Sequence, residues 1–214
     1  MPIVIGGVIL SGILGGFSGK VGPVVGAKWK GIDYMRTYVK PSNPNTLGQQ
    51  TQRTDFSAIV AFARQVLCGL IQTYWDPFAV GMSGFNRFIQ ENIGTLNVSQ
   101  ELGITSKMTL GTLEGVPVQT STYNTGDGET IIVWDEGITG CGALTDLAAV
   151  VLYDVAGGNL QLFVGAETRD DESITVTFTT GLTATEVIAY LFFYRGAAGT
   201  FIVSDSVADV CAAP

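Results

Sequence analysis

The spacing of hydrophobic and polar residues changes along the chain, and each change predicts a different element. Residues 3–14, IVIGGVILSGIL, form an uncharged run rich in β-branched side chains, which predicts a strand. Residues 12–36 alternate bulky residues with glycines, which predicts a glycine-rich β-hairpin with turns at SGK (18–20) and KG (30–31). Because an exposed apolar strand recruits other chains, we expect residues 3–14 to be covered by their own chain or by a neighbouring copy.

Helical spacing follows an extended link at residues 37–46, which contains two prolines. A first helix is predicted to begin at Asn45 or Thr46, where a short polar side chain can cap it, and to end at Asp76-Pro77. Its predicted apolar face comprises Phe56, Ile59, Val60, Ala63, Val66, Leu67, Leu70 and Ile71. Four polar residues of this helix could form a functional face, but we interpret them as an ordinary solvated face. They are Gln49, Gln52, Arg53 and Arg64.

A second helix is predicted over Ser83–Asn92. A dense aromatic set surrounds the junction of the two helices and comprises Tyr74, Trp75, Phe78, Phe85 and Phe88. Aromatic residues at helical spacing usually serve core packing. We therefore interpret this set as the core of a helix pair rather than as a ligand site.

After Lys107, short β-branched and aromatic runs recur between turn residues. Seven strands are predicted, within residues 108–123, 129–136, 147–155, 160–167, 173–180, 186–195 and 200–209. Seven short strands in about 100 residues are typical of an immunoglobulin-like β-sandwich. Trp134, Tyr153 and Tyr190 resemble the core tryptophan and tyrosines of fibronectin type III domains.

The sequence thus predicts an α+β chain of two domains. Residues 1–105 are expected to form a glycine-rich β-hairpin plus helix pair, and residues 106–214 an all-β immunoglobulin/fibronectin III-like sandwich. Charge divides at nearly the same place, since residues 1–107 have a net charge of +4 and residues 108–214 of −12. Such a split indicates two parts and lets copies attract each other head to tail.

Composition excludes some functions and favours others. The chain contains no histidine, the commonest general base and metal ligand, and it contains no G-x-S-x-G nucleophile motif. We therefore predict no catalytic residue, no cofactor, no metal and no enzyme activity. Only 14% of the residues are charged, against a usual value of about 25%, which indicates surfaces made for interfaces.

Two patterns suggest ligand sites and are interpreted otherwise. Gly15 and Gly19-Lys20 resemble a phosphate loop, but the spacing is one residue short and Val21 stands where the motif needs Ser or Thr. The acidic run Asp170, Asp171 and Glu172 offers carboxylate oxygens for Ca²⁺ but forms no EF-hand loop, so a solvated hairpin turn is favoured. The pair Asp135-Glu136, at a strand end, is no better a site.

Three cysteines show no metal-binding spacing. Cys68 falls in the helical pattern and is predicted to be a small buried hydrophobe. Cys141 and Cys211 could pair if the fold brings them together, which the sequence leaves open.

The uncharged N-terminal segment predicts neither a signal peptide for export nor a helix that inserts into a membrane. Residues 1–10 lack a positively charged segment and a cleavage site, so no signal peptide is expected. The uncharged run 2–19 has 18 residues, at the lower limit for a membrane span, but its glycines and β-branched residues favour a strand.

The run at 12–36 and the sequence NPNTLGQQTQRTDFS at 43–57 resemble the opening of an uncharacterised family of Bacteroidota proteins. Members of that family carry a GxxGGFSGKVG-xVVG-xxWKG-xxYxR start, a proline-rich link and a TxxQ-xxRxxF helix. The resemblance is strong over residues 12–93 and looser over the β-rich remainder. The family has no established activity, so the resemblance implies no catalytic residue.

These observations together predict a structural role. We expect a structural subunit of a large assembly, namely a virion protein of a phage or phage-like particle. It would self-associate through the N-terminal module and carry the sandwich outward. Its expected partners are copies of itself and other structural subunits, and neither nucleic acid, a membrane nor a small-molecule substrate is favoured. The alternative is a bacterial cell-surface or extracellular filament or adhesion protein.

Overall fold

The computed structural model describes residues 8–9, 16–124, 126–135, 140–178, 186–196 and 201–212 of the 214-residue chain. The chain forms two compact units, Met1–Thr46 and Leu47–Pro214. Three α-helices and three antiparallel sheets lie within the described residues, which confirms the predicted α+β class.

The first unit contains a four-stranded antiparallel sheet in the order β1-β2-β3-β4. Its strands are β1 (Val8–Ile9), β2 (Phe17–Val21), β3 (Val24–Trp29) and β4 (Ile32–Thr37). Val8 and Ile9 pair with Ser18 and Phe17, so part of the predicted strand 3–14 belongs to this sheet. Residues 3–7 and 10–14 of that prediction lie outside the described residues.

The two tight turns of this sheet set its register. Lys30 and Gly31 both have positive φ, 49° and 86°, which is the two-residue turn that suits the twist of a hairpin. This confirms the predicted turn at 30–31. The turn predicted at 18–20 is wrong, because Val21 pairs with Val24 and leaves only the two residues between them to reverse the chain. Residues 18–20 lie inside β2.

The helices of the second unit begin and end close to the predicted residues. Helix α1 (Leu47–Gln65) is followed by a π-helical turn (Leu67–Ile71), helix α2 (Gln72–Tyr74) and a 3₁₀ turn that contains Pro77 (Asp76–Phe78). Helix α1 and the segment Leu67–Phe78, which begins with the π turn, meet at 73°, as expected where an extra residue enters the helical ladder. Helix α3 (Gly84–Asn92) is capped by Ser83, whose Oγ accepts a hydrogen bond from the N–H of Asn86.

No single helix in the described part of the chain is long and apolar enough to cross a bilayer. The bent pair Leu47–Gln65 and Leu67–Phe78 reaches the necessary length and composition only when both segments are counted together. Leu70 and Ile71 of this pair are fully buried in the protein core.

Two further antiparallel sheets complete the second unit. One has the order β5-β6-β9, with β5 (Val118–Asn124), β6 (Glu129–Trp134) and β9 (Ser173–Thr177). The other has β8-β7-β10, with β11 and β12 both paired to β10. Its strands are β7 (Leu147–Asp154), β8 (Asn159–Thr168), β10 (Val187–Arg195), β11 (Ile202–Val203) and β12 (Val207–Val210). The seven predicted runs all contain strands, and the last contains two.

Strands β7 and β10 are buried on both faces, so they form the shared wall of two cores. The core between the two sheets includes Trp134, Ile132, Ala148, Val150, Leu152, Ala189, Leu191 and Phe193. The core between this sheet and the helices includes Ile59, Phe62, Leu70, Phe88, Ala149, Val151, Tyr153, Tyr190 and Phe192. Side chains in a strand alternate between its faces, so successive residues of β7 enter different cores.

This shared wall explains where the structure departs from the sequence prediction. The helices and the sheets share a core, so the second compact unit begins at Leu47 rather than at the predicted boundary between residues 105 and 106. Trp134 lies between the sheets as expected, whereas Tyr153 and Tyr190 are buried on the helix side. Phe56 was predicted to lie on the apolar face of the first helix, but it is 51% exposed. The first fully buried residue of that helix is Ile59.

The shared core predicts which fragment of the chain folds. A fragment of residues 47–214 should give a cooperative thermal transition by circular dichroism. A fragment of residues 106–214 should expose the helix-side residues of β7 and β10, bind a hydrophobic dye and aggregate, because large exposed apolar patches drive association. A cooperative, dye-free melt of the shorter fragment would contradict this.

Alkaline pH should destabilise the helix-side core. Burial raises the pKa of Tyr74 to about 12, with a further contribution from Tyr194, and burial raises the pKa of Tyr153 to about 12. In the unfolded chain these phenols ionise near pH 10, so above about pH 10 the unfolded state loses protons first and is favoured. We expect the melting temperature to fall between pH 10 and 12, and Tyr153→Phe to reduce the slope. An unchanged slope in this variant would disprove the role of Tyr153.

Candidate assembly surface

The N-terminal sheet has two different faces because its side chains alternate. The register places Trp29 opposite Ile32, and Ala27 opposite Tyr34, on one face. Val25 lies on the same face, opposite Lys20 on one side and Arg36 on the other. We define the apolar face of the N-terminal sheet as Val25, Ala27, Trp29, Ile32 and Tyr34.

Large side chains on the apolar face are open to solvent. Trp29 is 64% exposed, Ile32 67% and Tyr34 43%, and the three line one shallow groove. A sheet in a stable domain normally buries one face against another layer. A contiguous exposed apolar patch of this kind marks an interaction surface.

The opposite face of the same sheet is covered in part, around Gly26, by Phe17. Gly26 is buried, and a Cβ atom there would strike the carbonyl oxygen and the ring of Phe17. Phe17 therefore packs directly over the backbone of β3. Beside it, Lys28 and Asp33 form an ion pair of 3.9 Å in which both side chains remain about half exposed, so its contribution to stability is small.

Positive charges lie at both ends of the apolar face. Lys20 and Arg36 flank Val25 at one end, and Lys30 follows Trp29 at the other. The ammonium of Lys20 lies 3.8 Å from the ring centroid of Tyr38, and that of Lys30 lies 4.9 Å from the ring centroid of Trp29. Cations over aromatic faces are held by the ring quadrupole, so these lysines are positioned beside the apolar surface.

The first compact unit carries all of the positive excess found in the sequence. Residues 1–46 contain five Lys or Arg and one Asp, a net charge of +4, while residues 47–214 have a net charge of −12. Residues 47–107 hold four basic and four acidic residues and are neutral. The division of charge is therefore the same whether the chain is split at Thr46, where the compact units meet, or at Lys107.

The acidic run at 170–172 has a local structural role. The hairpin turn predicted there is wrong, because a 3₁₀ turn (Arg169–Asp171) connects β8 in one sheet to β9 in the other. One carboxylate oxygen of Asp171 accepts hydrogen bonds from the backbone N–H and the hydroxyl of Thr168, at 2.6 and 2.8 Å. These two bonds hold the pKa of the Asp171 carboxyl below its usual range.

Metal-binding groups do not converge in the described part of the chain. Nowhere among those residues do three His, Cys, Asp or Glu side chains lie close enough to hold a metal ion. Asp170 and Glu172 are exposed, as is Asp135, and Glu136 lies outside the described residues. The 170–172 run thus belongs to the connection between the two sheets.

Arg169 is a buried charged residue that the sequence analysis did not indicate. Its side chain is fully buried, 3.6 Å from the carboxylate of Asp146, and its guanidinium lies 4.2 Å from the ring centroid of Phe193. Its carbonyl accepts a hydrogen bond from the indole N–H of Trp134 at 2.9 Å. Burial lowers the pKa of Arg169, and Asp146 opposes that shift. Arg195 donates a second bond to Asp146 at 2.5 Å, so this network joins the two sheets.

The cysteines lie apart. Cys68 is exposed on the π-helical turn, so the prediction that it is buried is wrong; the residues that turn inward there are Leu70 and Ile71. Cys141 and Cys211 are free thiols, the first exposed and the second buried, and they form no disulfide. Burial raises the pKa of the Cys211 thiol.

The remaining candidate residues of the sequence fall in ordinary positions. Gly19 and Lys20 lie within strand β2 rather than in a loop before a helix, which disfavours phosphate binding, and Gly15 lies outside the described residues. The polar residues Gln49, Gln52, Arg53 and Arg64 are exposed on α1. The aromatic set is mainly core as predicted, since the rings of Trp75 and Phe88 meet edge to face at 5.5 Å.

Comparison with protein families covers nearly the whole chain. Residues 16–207 match the family described as "Family of unknown function (DUF6266)". The chain belongs to DUF6266. The DUF6266 match includes strands β2 to β11 and the helices, so the apolar face lies within the family region. None of the curated proteins matches the chain significantly.

Family membership confirms the coarser part of the predicted resemblance. The chain does belong to a family without an assigned activity. The detailed motif and the Bacteroidota origin stay predictions. The description of DUF6266 names no substrate, partner or catalytic residue.

Substitution of Gly26 should disrupt the N-terminal sheet. In Gly26→Ala the new Cβ meets Phe17, and we expect a loss of roughly 1–3 kcal/mol in the opening free energy of this sheet, as for overpacked sites generally. Hydrogen exchange of the β2 and β3 amides measures this loss. Gly48→Ala is the matched control, because nothing lies within 4 Å of its added Cβ. Equal protection in Gly26→Ala and in the wild type would rule out the packing described here.

Proposed function

We propose that this protein is a structural subunit of a large protein assembly, a phage or phage-like virion of a Bacteroidota host, rather than an enzyme. In this proposal the subunits associate through the apolar face of the N-terminal sheet, and the second unit faces outward. The observation that carries the proposal is the exposure of Trp29, Ile32 and Tyr34 on one sheet face.

The composition supports an assembly role for the same surface. With only 14% charged residues, the chain has little of the polar surface that keeps monomers apart. Full burial of a large apolar side chain contributes about 1.5–3 kcal/mol. Three such side chains in one patch therefore supply a substantial part of the free energy of a stable contact.

We also propose that the two sheets of the second unit form an immunoglobulin-like sandwich of the fibronectin III kind. The strand orders β5-β6-β9 and β8-β7-β10-β12 support this, since they correspond to the A-B-E and C′-C-F-G sheets of such sandwiches. The core that the two sheets share, around Trp134, is a second support. The helices cover the far side of the larger sheet, which is an addition to that architecture.

The alternative function is a filament or adhesion protein of the bacterial surface. A contact between unlike surfaces of identical subunits propagates into open filaments unless its geometry closes a ring, so filaments are the assembly expected of this alternative. Electron microscopy of the purified full-length protein separates the two, because a virion component gives closed or sheet-like particles and the alternative gives filaments.

Loss of the apolar face should abolish association. We expect light scattering to show oligomers of the 22.6 kDa chain at micromolar concentration. The variant Trp29→Ser/Ile32→Ser should weaken association about a hundredfold or more, because two exposed apolar side chains no longer enter the contact. Met35→Ser is the matched control, since Met35 is 70% exposed on the other face of the same strand.

Two outcomes contradict the proposal. A wild-type protein that is monomeric at these concentrations would remove its basis. Equal association of the wild type and of Trp29→Ser/Ile32→Ser would show that a different surface makes the contact.

A further inference from the structure

We propose that the apolar face of the N-terminal sheet docks on the outer face of the β5–β6–β9 sheet of a second copy of the chain. Copies would then associate head to tail. This inference rests on the proposed function, because it names the partner surface for the same contact.

The outer face of the β5–β6–β9 sheet is partly apolar. Alternation places Ile131 on this face, between Thr122 of β5 and Thr175 of β9. Ile131 is 40% exposed, whereas its neighbour Ile132 points into the core and is fully buried. The outward side chains are mostly short and β-branched, namely Thr120, Thr122, Asn124, Glu129, Ile131, Val133, Ser173, Thr175 and Thr177. Short side chains leave room for the rings of Trp29 and Tyr34 to lie against this sheet.

Acidic side chains lie at both ends of this outer face. Glu129 and Asp127 stand at the end where β5 turns into β6. Asp135 and Glu172 stand at the other end, where the N–H of Trp134 donates to the carbonyl of Glu172 at 2.9 Å. Ile131 lies between the two acidic ends, as Trp29 and Tyr34 lie between the two basic ends of the apolar face.

The two faces match in length as well as in charge. Val25 to Lys30 is five residue steps and Glu129 to Asp135 is six, which correspond to about 17 and 20 Å at about 3.4 Å per residue. Lys20 and Arg36 can therefore meet one acidic end while Lys30 meets the other. Because each face has like charges at both ends, the match holds for either direction of docking.

Charge also disfavours the symmetric alternatives. Face-to-face contact of two N-terminal sheets brings together two units that each have a net charge of +4. Contact of two second units brings together two net charges of −12. Head-to-tail docking brings unlike charges together, which steers encounter and fixes register. A contact of this type continues from copy to copy, as a structural subunit requires.

Charge reversal tests the inference in the full-length chain. Lys20→Glu/Lys30→Glu and Glu129→Lys/Asp135→Lys should each weaken association about tenfold or more at low salt, because like charges then face each other. A chain with all four substitutions should associate as the wild type does, and so should an equal mixture of the two double variants. Asp55→Lys/Glu186→Lys, with the same change in net charge, should associate normally because neither residue lies on the outer face. Sedimentation velocity measures each species.

Ile131→Ser provides a second, uncharged variant in case the reversed charges disturb folding. It should also weaken association, with an unchanged circular dichroism spectrum. The head-to-tail inference is overturned if Trp29→Ser/Ile32→Ser abolishes association while Glu129→Lys/Asp135→Lys and Ile131→Ser leave it intact. In that case the proposed function stands. It is also overturned if the fourfold variant or the mixture shows no recovery. If sedimentation velocity shows the wild-type protein to be monomeric, the proposed function itself is contradicted.

Discussion

The antiparallel pair of β7 and β10 is the constraint on which the second unit depends, because each strand is buried on both faces. Val150 and Val151, adjacent in sequence, enter different cores, one between the sheets and one beneath the helices. Neither the helix layer nor the β5–β6–β9 sheet can leave without exposing one side of this wall. The buried pair of Arg169 and Asp146 adds a polar junction at its edge, where Arg169 also covers Phe193. The N-terminal sheet differs in kind, since its aromatic face is exposed and no second layer covers it among the described residues of the first unit.

Much of the local structure follows from the sequence, and the larger organisation does not. Ser83 and Pro77 mark helix boundaries, the first as a capping side chain and the second as a helix breaker, and alternation in runs such as SITVTF at 173–178 marks the strands. The continuous runs 147–153 and 187–194 are also visible as strands, and their lack of alternation is the signal that both faces are buried. The domain boundary could not be predicted from charge, because residues 47–107 have no net charge. A boundary anywhere in that interval gives nearly the same division of charge.

The sequence indicates which stretch of the chain carries the candidate surface, but it does not show which side chains share one face of the sheet. Glycines and lysines at residues 12–36 indicate an unusual hairpin, but a one-residue change in register sends every side chain to the other face. That register depends on the turn between Val21 and Val24, which a glycine count places wrongly at 18–20. Arg169 was beyond prediction for a related reason. An arginine followed by three acids is typical of a solvated turn, and only the fold shows that it points inward.

The double burial of β7 and β10 also has a consequence for how the chain is made. Residues 147–154 of β7 pair with residues 187–194 of β10, and the helices that cover this pair are synthesised before both strands, so the helix-side core stays open until β10 has left the ribosome. Until β10 is synthesised, strand β7, whose one charged residue is Asp154 at its end, has an open edge. The nascent protein should therefore fold slowly and late, and its yield in cells should depend on chaperones that shield this single strand.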